Sequence, residues 1–319
     1  MSQFCARCPC PGSEVVTPTS ALVAVAAAGV ATVGFSWVFA RRWGRPVRRV
    51  SNETPFDHGL PYVPAVFTSH GIALNGWLVT PAAARFATVV VPHGWGSNAA
   101  RMLPLAKVLQ AEGFGVLLYD TRGHGTSGAH GPVTIRTFAE DLLAAVHHLT
   151  QRPDIGPTRI GVFGHSMGGA AAIVAASTES RIGAVVSSAA FADIDDLIRR
   201  TLRCLHIPQW PFLPLVRWIV ELHLHITTDG LSPGKRIGKI NAPILLIHGT
   251  DDELIPATDL DVLCTAANQA TTERVLLPHR GHRDLLADPN YATRALEFLH
   301  RSLDSSPPAP RACTWRKHG

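Results

Sequence analysis

Residues 164–168 read Gly164-His165-Ser166-Met167-Gly168, the pattern G-x-S-x-G, and their surroundings leave little choice of local structure. The run Ile160-Gly161-Val162-Phe163 precedes the pattern, and an alanine-rich stretch from Gly169 to Ala176 follows it. This order predicts a strand, a tight turn with the serine at its tip, and a helix. A turn that sharp brings strand and helix close together, so its neighbours must lack bulk. Gly164, Gly168 and Gly169 meet that need. The helix begins just after Ser166, and its first N–H groups point at the space over the serine, where they favour negative charge. A glycine-rich turn with an incidental serine is the plain alternative, and three further segments argue against it.

Upstream, the buried-strand run Ala87-Thr88-Val89-Val90-Val91 leads into Pro92-His93-Gly94-Trp95-Gly96-Ser97. A glycine-lined loop after a strand leaves its backbone open to a ligand, so the Trp95 N–H, paired with the Met167 N–H, is the candidate to hold a developing oxyanion. The Trp95 side chain is expected to line an acyl pocket, and His93 to hold the loop by a hydrogen bond. Downstream, the strand Ile244-Leu245-Leu246-Ile247 ends in His248-Gly249-Thr250-Asp251-Asp252, where one of two adjacent carboxylates can orient a histidine. A fourth strand ends in Pro278-His279-Arg280-Gly281-His282. Serine, acid and histidine therefore follow one another in that order along the chain.

These segments resemble the α/β-hydrolase superfamily, in particular its Bem46-like and serine-aminopeptidase-like branch, over roughly residues 62–302. Two further stretches carry the likeness: the hairpin Phe67 to Leu78, and Asp120-Thr121-Arg122-Gly123-His124-Gly125-Thr126-Ser127, a D-x-R-G-H-G-x-S turn. His70 departs from the pattern, standing where the family often has Asp. The resemblance implies Ser166 as nucleophile. It implies Asp252 as the acid, three residues before the pair Ile255-Pro256, and His282, which follows a glycine, as the base. Asp251 and His279 remain alternatives. The fold expected is a mostly parallel central sheet flanked by helices, with a small helical cap inserted. Neither metal nor cofactor is required.

The rest of the chain fits alternating strands and helices. Phe114 to Tyr119 and Ala184 to Ser188 read as strands, and Ile135 to Leu149 and Tyr291 to Leu303 as amphipathic helices. About fifty residues separate the strand near 186 from the strand near 245, more than a simple connection needs. Residues 192–236 are read as the cap, whose Trp210 and Phe212, with Trp95 and His165, are the candidate substrate contacts. A core-packing helix pair is the alternative. His206, His223 and His225 resemble a metal cluster by count only, since no ligand spacing supports them.

From Ala21 to Ala40 the chain carries no charge, and five arginines follow between Arg41 and Arg49. Twenty residues of helix can cross a bilayer. The expectation is a transmembrane helix over 16–40, a basic juxtamembrane linker over 41–60 and a single-pass membrane protein. The arginine asymmetry then puts the catalytic domain, 61–304, in the cytoplasm. A surface helix is the rival reading, because alanine-rich runs insert weakly. Residues 1–15, with Cys5, Cys8 and Cys10, form a tail, and 305–319 are expected to be disordered.

Net charge is +5 and the isoelectric point about 9.1, an excess the arginine cluster accounts for, so no nucleic-acid face is expected. That cluster can touch anionic lipid head groups. The six cysteines follow no disulfide spacing. The expected activity is hydrolysis of a carboxylic ester or thioester, the partner being a small-molecule or lipid acyl substrate. A peptidase or an acyltransferase uses the same groups, and a membrane-anchored binding protein with a dead hydrolase fold is the alternative of another class. Oligomeric state is not legible.

Overall fold

The computed structural model describes residues 18–83, 86–153, 155–224 and 227–303. Eight strands make one sheet: β1 (Tyr62–Ser69), β2 (Ile72–Val79), β3 (Phe86–Pro92), β4 (Gly115–Tyr119), β5 (Ile155–His165), β6 (Ile182–Ser188), β7 (Ile244–Gly249) and β8 (Thr272–Leu277). Their order is β1-β2-β4-β3-β5-β6-β7-β8. The β1–β2 and β2–β4 pairs are antiparallel, and the remaining pairs are parallel. Every residue of β3, β4 and β7 is buried, as continuous apolar runs in a sheet covered on both faces must be.

Ten helices accompany the sheet: α1 (Pro18–Trp43), α2 (Leu103–Ala111), α3 (Ile135–Thr150), α4 (Met167–Ala176), α5 (Ile194–Cys204), α6 (Gln209–Leu224), α7 (Thr228–Leu231), α8 (Pro233–Arg236), α9 (Thr258–Ala266) and α10 (Pro289–Leu303). One face of the sheet packs Phe138, Leu142 and Val146 of α3, the whole of α4, and Leu260 and Leu263 of α9. The other packs Leu103 and Leu109 of α2 and Phe298 and Leu299 of α10. Thr134 starts α3 by accepting the Thr137 N–H, a side-chain cap that fits the expected helix start.

The insertion between β6 and β7 contains α5 to α8. Ile198, Leu202 and Val216 give it a small core of its own. Both guanidinium ends of Arg200 donate to Asp259 of α9 at 2.8 Å, and the same carboxylate accepts the Ala192 N–H, which ties the insertion to the main domain.

The transmembrane expectation needs correction. Among the described residues no helix is both long and apolar enough to cross a membrane. Nine of the twenty residues from Ala21 to Ala40 are Ala or Gly, and these bring little transfer free energy. The end of α1 rests on protein instead. Phe35 meets Phe212 edge to face at 5.3 Å, Phe39 packs on the cap core, and Ser36 is fully buried. Past the helix, the Gly44 carbonyl accepts the Val133 N–H at 2.7 Å, Arg48 donates to the Ser127 carbonyl, and Asn98 donates to the Arg49 carbonyl. The expected linker thus runs along the domain. The cytoplasmic orientation drawn from the arginines has no spanning helix among the described residues to carry it. Both terminal tails, Cys313 and His225 lie outside those residues, and among the described residues neither Cys204 nor Cys264 is in a disulfide.

Candidate active site

The turn between β5 and α4 places Ser166 at φ 56°, ψ −120°, a left-handed conformation that a residue with a side chain rarely adopts. Its own N–H donates to the Ser188 carbonyl at 2.8 Å, which pins the turn to β6. The glycines are needed for space. A Cβ on Gly164 would stand 2.2 Å from the Gly168 carbonyl oxygen, and one on Gly168 would stand 2.4 Å from that of Pro92. Strand, turn and the β3 loop touch one another, and any side chain there would push them apart.

Three side chains from loops that follow strands meet at this turn. His282 Nε2 lies 2.9 Å from Ser166 Oγ, and His282 Nδ1 lies 2.7 Å from Asp252 Oδ2. Asp252 is buried, and its other oxygen accepts the N–H groups of Leu254 and Ile255 at 3.0 and 2.8 Å. Burial alone would raise the Asp252 pKa. Hydrogen bonds from His248, His282 and the Ile255 backbone outweigh it and hold the carboxyl well below its ordinary range. A fixed carboxylate bonded to Nδ1 sets the tautomer that leaves Nε2 free to accept the serine proton. The two alternatives from sequence, Asp251 and His279, sit apart from this line. Both side chains are exposed, 3.8 Å from each other.

The β3 loop lies against the turn. A Cβ on Gly94 would be 3.5 Å from Ser166 Cβ, and Trp95 is the next residue along this loop. Met167 opens α4, where the first N–H groups have no partner within the helix. The loop is held from behind by two histidines. His93 Nε2 accepts the Thr121 N–H, so its Nδ1 carries the proton given to the Gly94 carbonyl at 2.7 Å. His124 Nε2 accepts the Gly96 N–H at 3.1 Å. Burial lowers both pKa values, that of His124 to about 3, so both rings stay neutral. The structural role expected of His93 is what the bonds describe. The role of His124 was not legible in the sequence.

The D-x-R-G-H-G-x-S turn is the frame of this region. Asp120 accepts the Ala99 and Thr126 N–H groups, each at 2.8 Å, and Ser127 Oγ donates to the Asp120 carbonyl. Arg122 donates through Nε and Nη2 to Asp141, at 2.9 and 2.6 Å.

A cavity of about 1020 Å³ opens beside the turn. Trp95 and Met167 are among the residues that line it, and Trp95 stacks on Phe138 at 6.4 Å. The cap contributes Ile198, Val216, Ile219 and Leu222. Three expected contacts do not line it. Trp210 is 80% exposed, with φ −97° and ψ 129°, and precedes the regular part of α6. Phe212 turns toward Phe35 of α1. The helical phase then presents Val216, Ile219 and Val220 to the cavity, spaced three and four apart. His165 faces the other way, with Nδ1 3.2 Å from Ser188 Oγ and its ring 5.0 Å from that of His282. Ser188 Oγ bonds Tyr291 Oη at 2.8 Å, so α10 supports the back of His165. Burial pushes the His165 pKa down to about 3. Among the described residues there is no group of three or more His, Cys, Asp or Glu able to hold a metal ion.

Residues 83–232 match the family model described as serine aminopeptidase, S33. An uncharacterised protein of Mycobacterium tuberculosis, Rv2307c, is 30% identical over 273 residues, covering 84% of this chain and 88% of that one. YqkD of Bacillus subtilis, also uncharacterised, is 31% identical over 256 residues, covering 75% and 79%. Among solved structures, the Pyrococcus furiosus esterase Pf2001 superimposes with a TM-score of 0.65 at 26% identity, covering 81% of this chain and 98% of the esterase. The hydrolase of 2,6-dihydroxy-pseudo-oxynicotine shares the fold, with a TM-score of 0.64 at 20% identity over 81% of this chain and 73% of that one. With an eight-stranded, mostly parallel sheet, helices on both faces and these relatives, the chain belongs to the α/β-hydrolase superfamily and is a hydrolase.

Proposed function

We propose that this hydrolase cleaves carboxylic esters or thioesters of an apolar acyl group through a covalent acyl-enzyme. The supporting observation is the line Ser166 Oγ, His282, Asp252, with spacings of 2.9 and 2.7 Å, at the edge of a mostly apolar cavity. Ser166 Oγ attacks the acyl carbonyl carbon while His282 Nε2 takes its proton. The N–H groups of Trp95 and Met167 hold the oxygen that becomes negative. The bond to the alcohol or thiol breaks, and His282 returns the proton to that leaving group. Water then enters, gives a proton to His282 as its oxygen attacks the acyl carbon, and the ester bond to Ser166 breaks as His282 returns that proton to Ser166 Oγ, releasing the acid.

The family description favours a peptidase as a second reading. An aminopeptidase must meet the substrate ammonium with a carboxylate. Among the described residues, those lining the cavity include no Asp or Glu, and the charged ones are Arg41 and Arg45. That composition supports the ester. Turnover of p-nitrophenyl butyrate and dodecanoate, set beside alanyl- and leucyl-p-nitroanilide, tests the choice. Ester turnover at least a hundredfold above anilide turnover is expected, and the reverse order would put the peptidase first.

We also propose that α1 lies on an anionic membrane surface rather than crossing it. Leu22, Val23, Val30 and Val38 of α1 are 58–75% exposed, and the exposed Arg41, Arg42 and Arg45 follow directly. Apolar side chains beside a cationic group suit the headgroup boundary. The full chain is expected to float with phosphatidylserine vesicles and not with phosphatidylcholine vesicles, and to be released by high salt. Equal recovery with both lipids would contradict it.

A further inference from the structure

The cavity has a wall that the catalytic domain does not supply. Val33, Gly34, Trp37 and Ala40 of α1 line it together with Val216 and Ile219 of the cap. The matched family segment begins at residue 83, so this wall lies outside it. The wall is held at both ends of its contact. Phe35 and Phe39 pack on the cap, and Gly44, just past α1, is tied to Val133 at the cavity's other rim. Gly44 also lies so near Pro132 that a Cβ there would be 2.8 Å from the Pro132 Cβ. Near the mouth, Arg41 stands 4.6 Å over the Trp37 ring.

We propose that α1 completes the acyl site, and that the site takes a long, unbranched acyl chain running from Trp95 and Met167 outward between α1 and α6. Size is the first argument. About 1020 Å³ is at the upper end of the roughly 300–1,000 Å³ that small-molecule pockets occupy, and an acetyl or butyryl group would leave most of it unfilled. Lining is the second. Val33, Ile198, Val216 and Ile219 offer dispersion contacts and no hydrogen bonds, so a methylene chain loses nothing on entry. Direction is the third. Trp95 and Met167 line the cavity, which fixes the carbonyl end of the chain beside them, while Arg41 and Arg45 line it on the α1 side. The direction rests on the reading of Ser166 as nucleophile, whereas chain binding itself does not.

Gly34 allows a test that does not threaten folding. It lines the cavity, and a Cβ added to it meets no atom within 4 Å. Phe has a higher helix propensity than Gly, so the substitution does not weaken the helix. Gly29 is equally open but lies five residues earlier, about 140° away around the helix, and does not line the cavity. In full-length Ser166→Ala protein, dodecanoate binding is followed by calorimetry, with butyrate for comparison. Dodecanoate is expected to bind, Gly34→Phe to weaken it at least tenfold, and Gly29→Phe to leave it within twofold. The ratio of dodecanoate to butyrate ester turnover, measured with Ser166 intact, should fall at least tenfold for Gly34→Phe alone. Unchanged binding in Gly34→Phe, an equal loss in Gly29→Phe, or no dodecanoate binding at all would overturn the inference. Binding that responds as expected in a protein that cleaves neither ester would retain the inference and remove the esterase reading.

Discussion

Asp251 and Asp252 adjoin in sequence and differ in everything that matters for catalysis. Asp252 is buried, bonded to two backbone N–H groups and to His282, while the Asp251 side chain is exposed, accepts from Thr250 Oγ1 and lies 3.8 Å from His279. Asp252→Asn should keep the geometry and mis-set the histidine tautomer, lowering kcat by about 10⁴, whereas Asp251→Asn should change it less than about threefold. Steady-state ester kinetics on the two variants check this, and a larger loss at Asp251 would move the acid by one position. Composition could not have separated the pair. The choice of Asp252 came from the family resemblance, which implies an acid three residues before a pair such as Ile255-Pro256, and the physical distinction appears only when the loop closes. His124 was hidden for a related reason, since its bond to Gly96 spans 28 positions. Its depressed pKa makes it a source of acid lability. Between about pH 6.5 and 3 the unfolded chain binds a proton there that the folded chain does not, so stability falls as pH falls through that window, by up to about 1.4 kcal/mol per unit. His124→Asn should be less stable than wild type at pH 7, yet lose less between pH 7 and pH 5. Urea midpoints at the two pH values check it, and parallel losses would contradict it.

At the scale of elements, the strands and the serine turn were legible because buried runs and glycines announce themselves locally. A long helical insertion was legible too, because the strands near 186 and 245 stand too far apart for a plain crossover, and α5 to α8 lie between β6 and β7. Its contact residues were not. Trp210 has non-helical backbone angles, so the phase of α6 is set after it, and Val216 and Ile219 take the places expected of Trp210 and Phe212. The reading of α1 as a membrane span finds no support among the described residues. Absence of charge resembles membrane compatibility, and only tertiary contact showed Phe35, Ser36 and Phe39 turned toward protein. The tie between cap and domain is testable by itself. Asp259→Ala removes the acceptor of both Arg200 bonds and of the Ala192 N–H, and should cost about 2 kcal/mol in urea unfolding. It should also speed proteolysis within residues 194–236. A loss below about 0.5 kcal/mol would mean that the pair is a surface contact of little weight.

Across the whole molecule, the chemistry collects at one edge of the sheet. Ser166 follows β5, Asp252 follows β7, His282 follows β8 and Trp95 follows β3, so four separate crossovers deliver one residue each to the carboxyl ends of parallel strands. The strained serine, the neutral histidines behind the β3 loop and the cavity lined by cap and α1 all gather at that edge. Every part of this assembly depends on Ser166 being a nucleophile activated by His282. Intact-mass spectrometry after treatment with a fluorophosphonate probe measures that directly. Wild type should gain one probe mass at Ser166 and lose ester turnover in step. Ser166→Ala should gain none and turn over esters at least about 10⁴-fold more slowly, with an unchanged urea midpoint. An unlabelled wild-type protein, or a Ser166→Ala variant within tenfold of wild-type activity, would contradict the assignment.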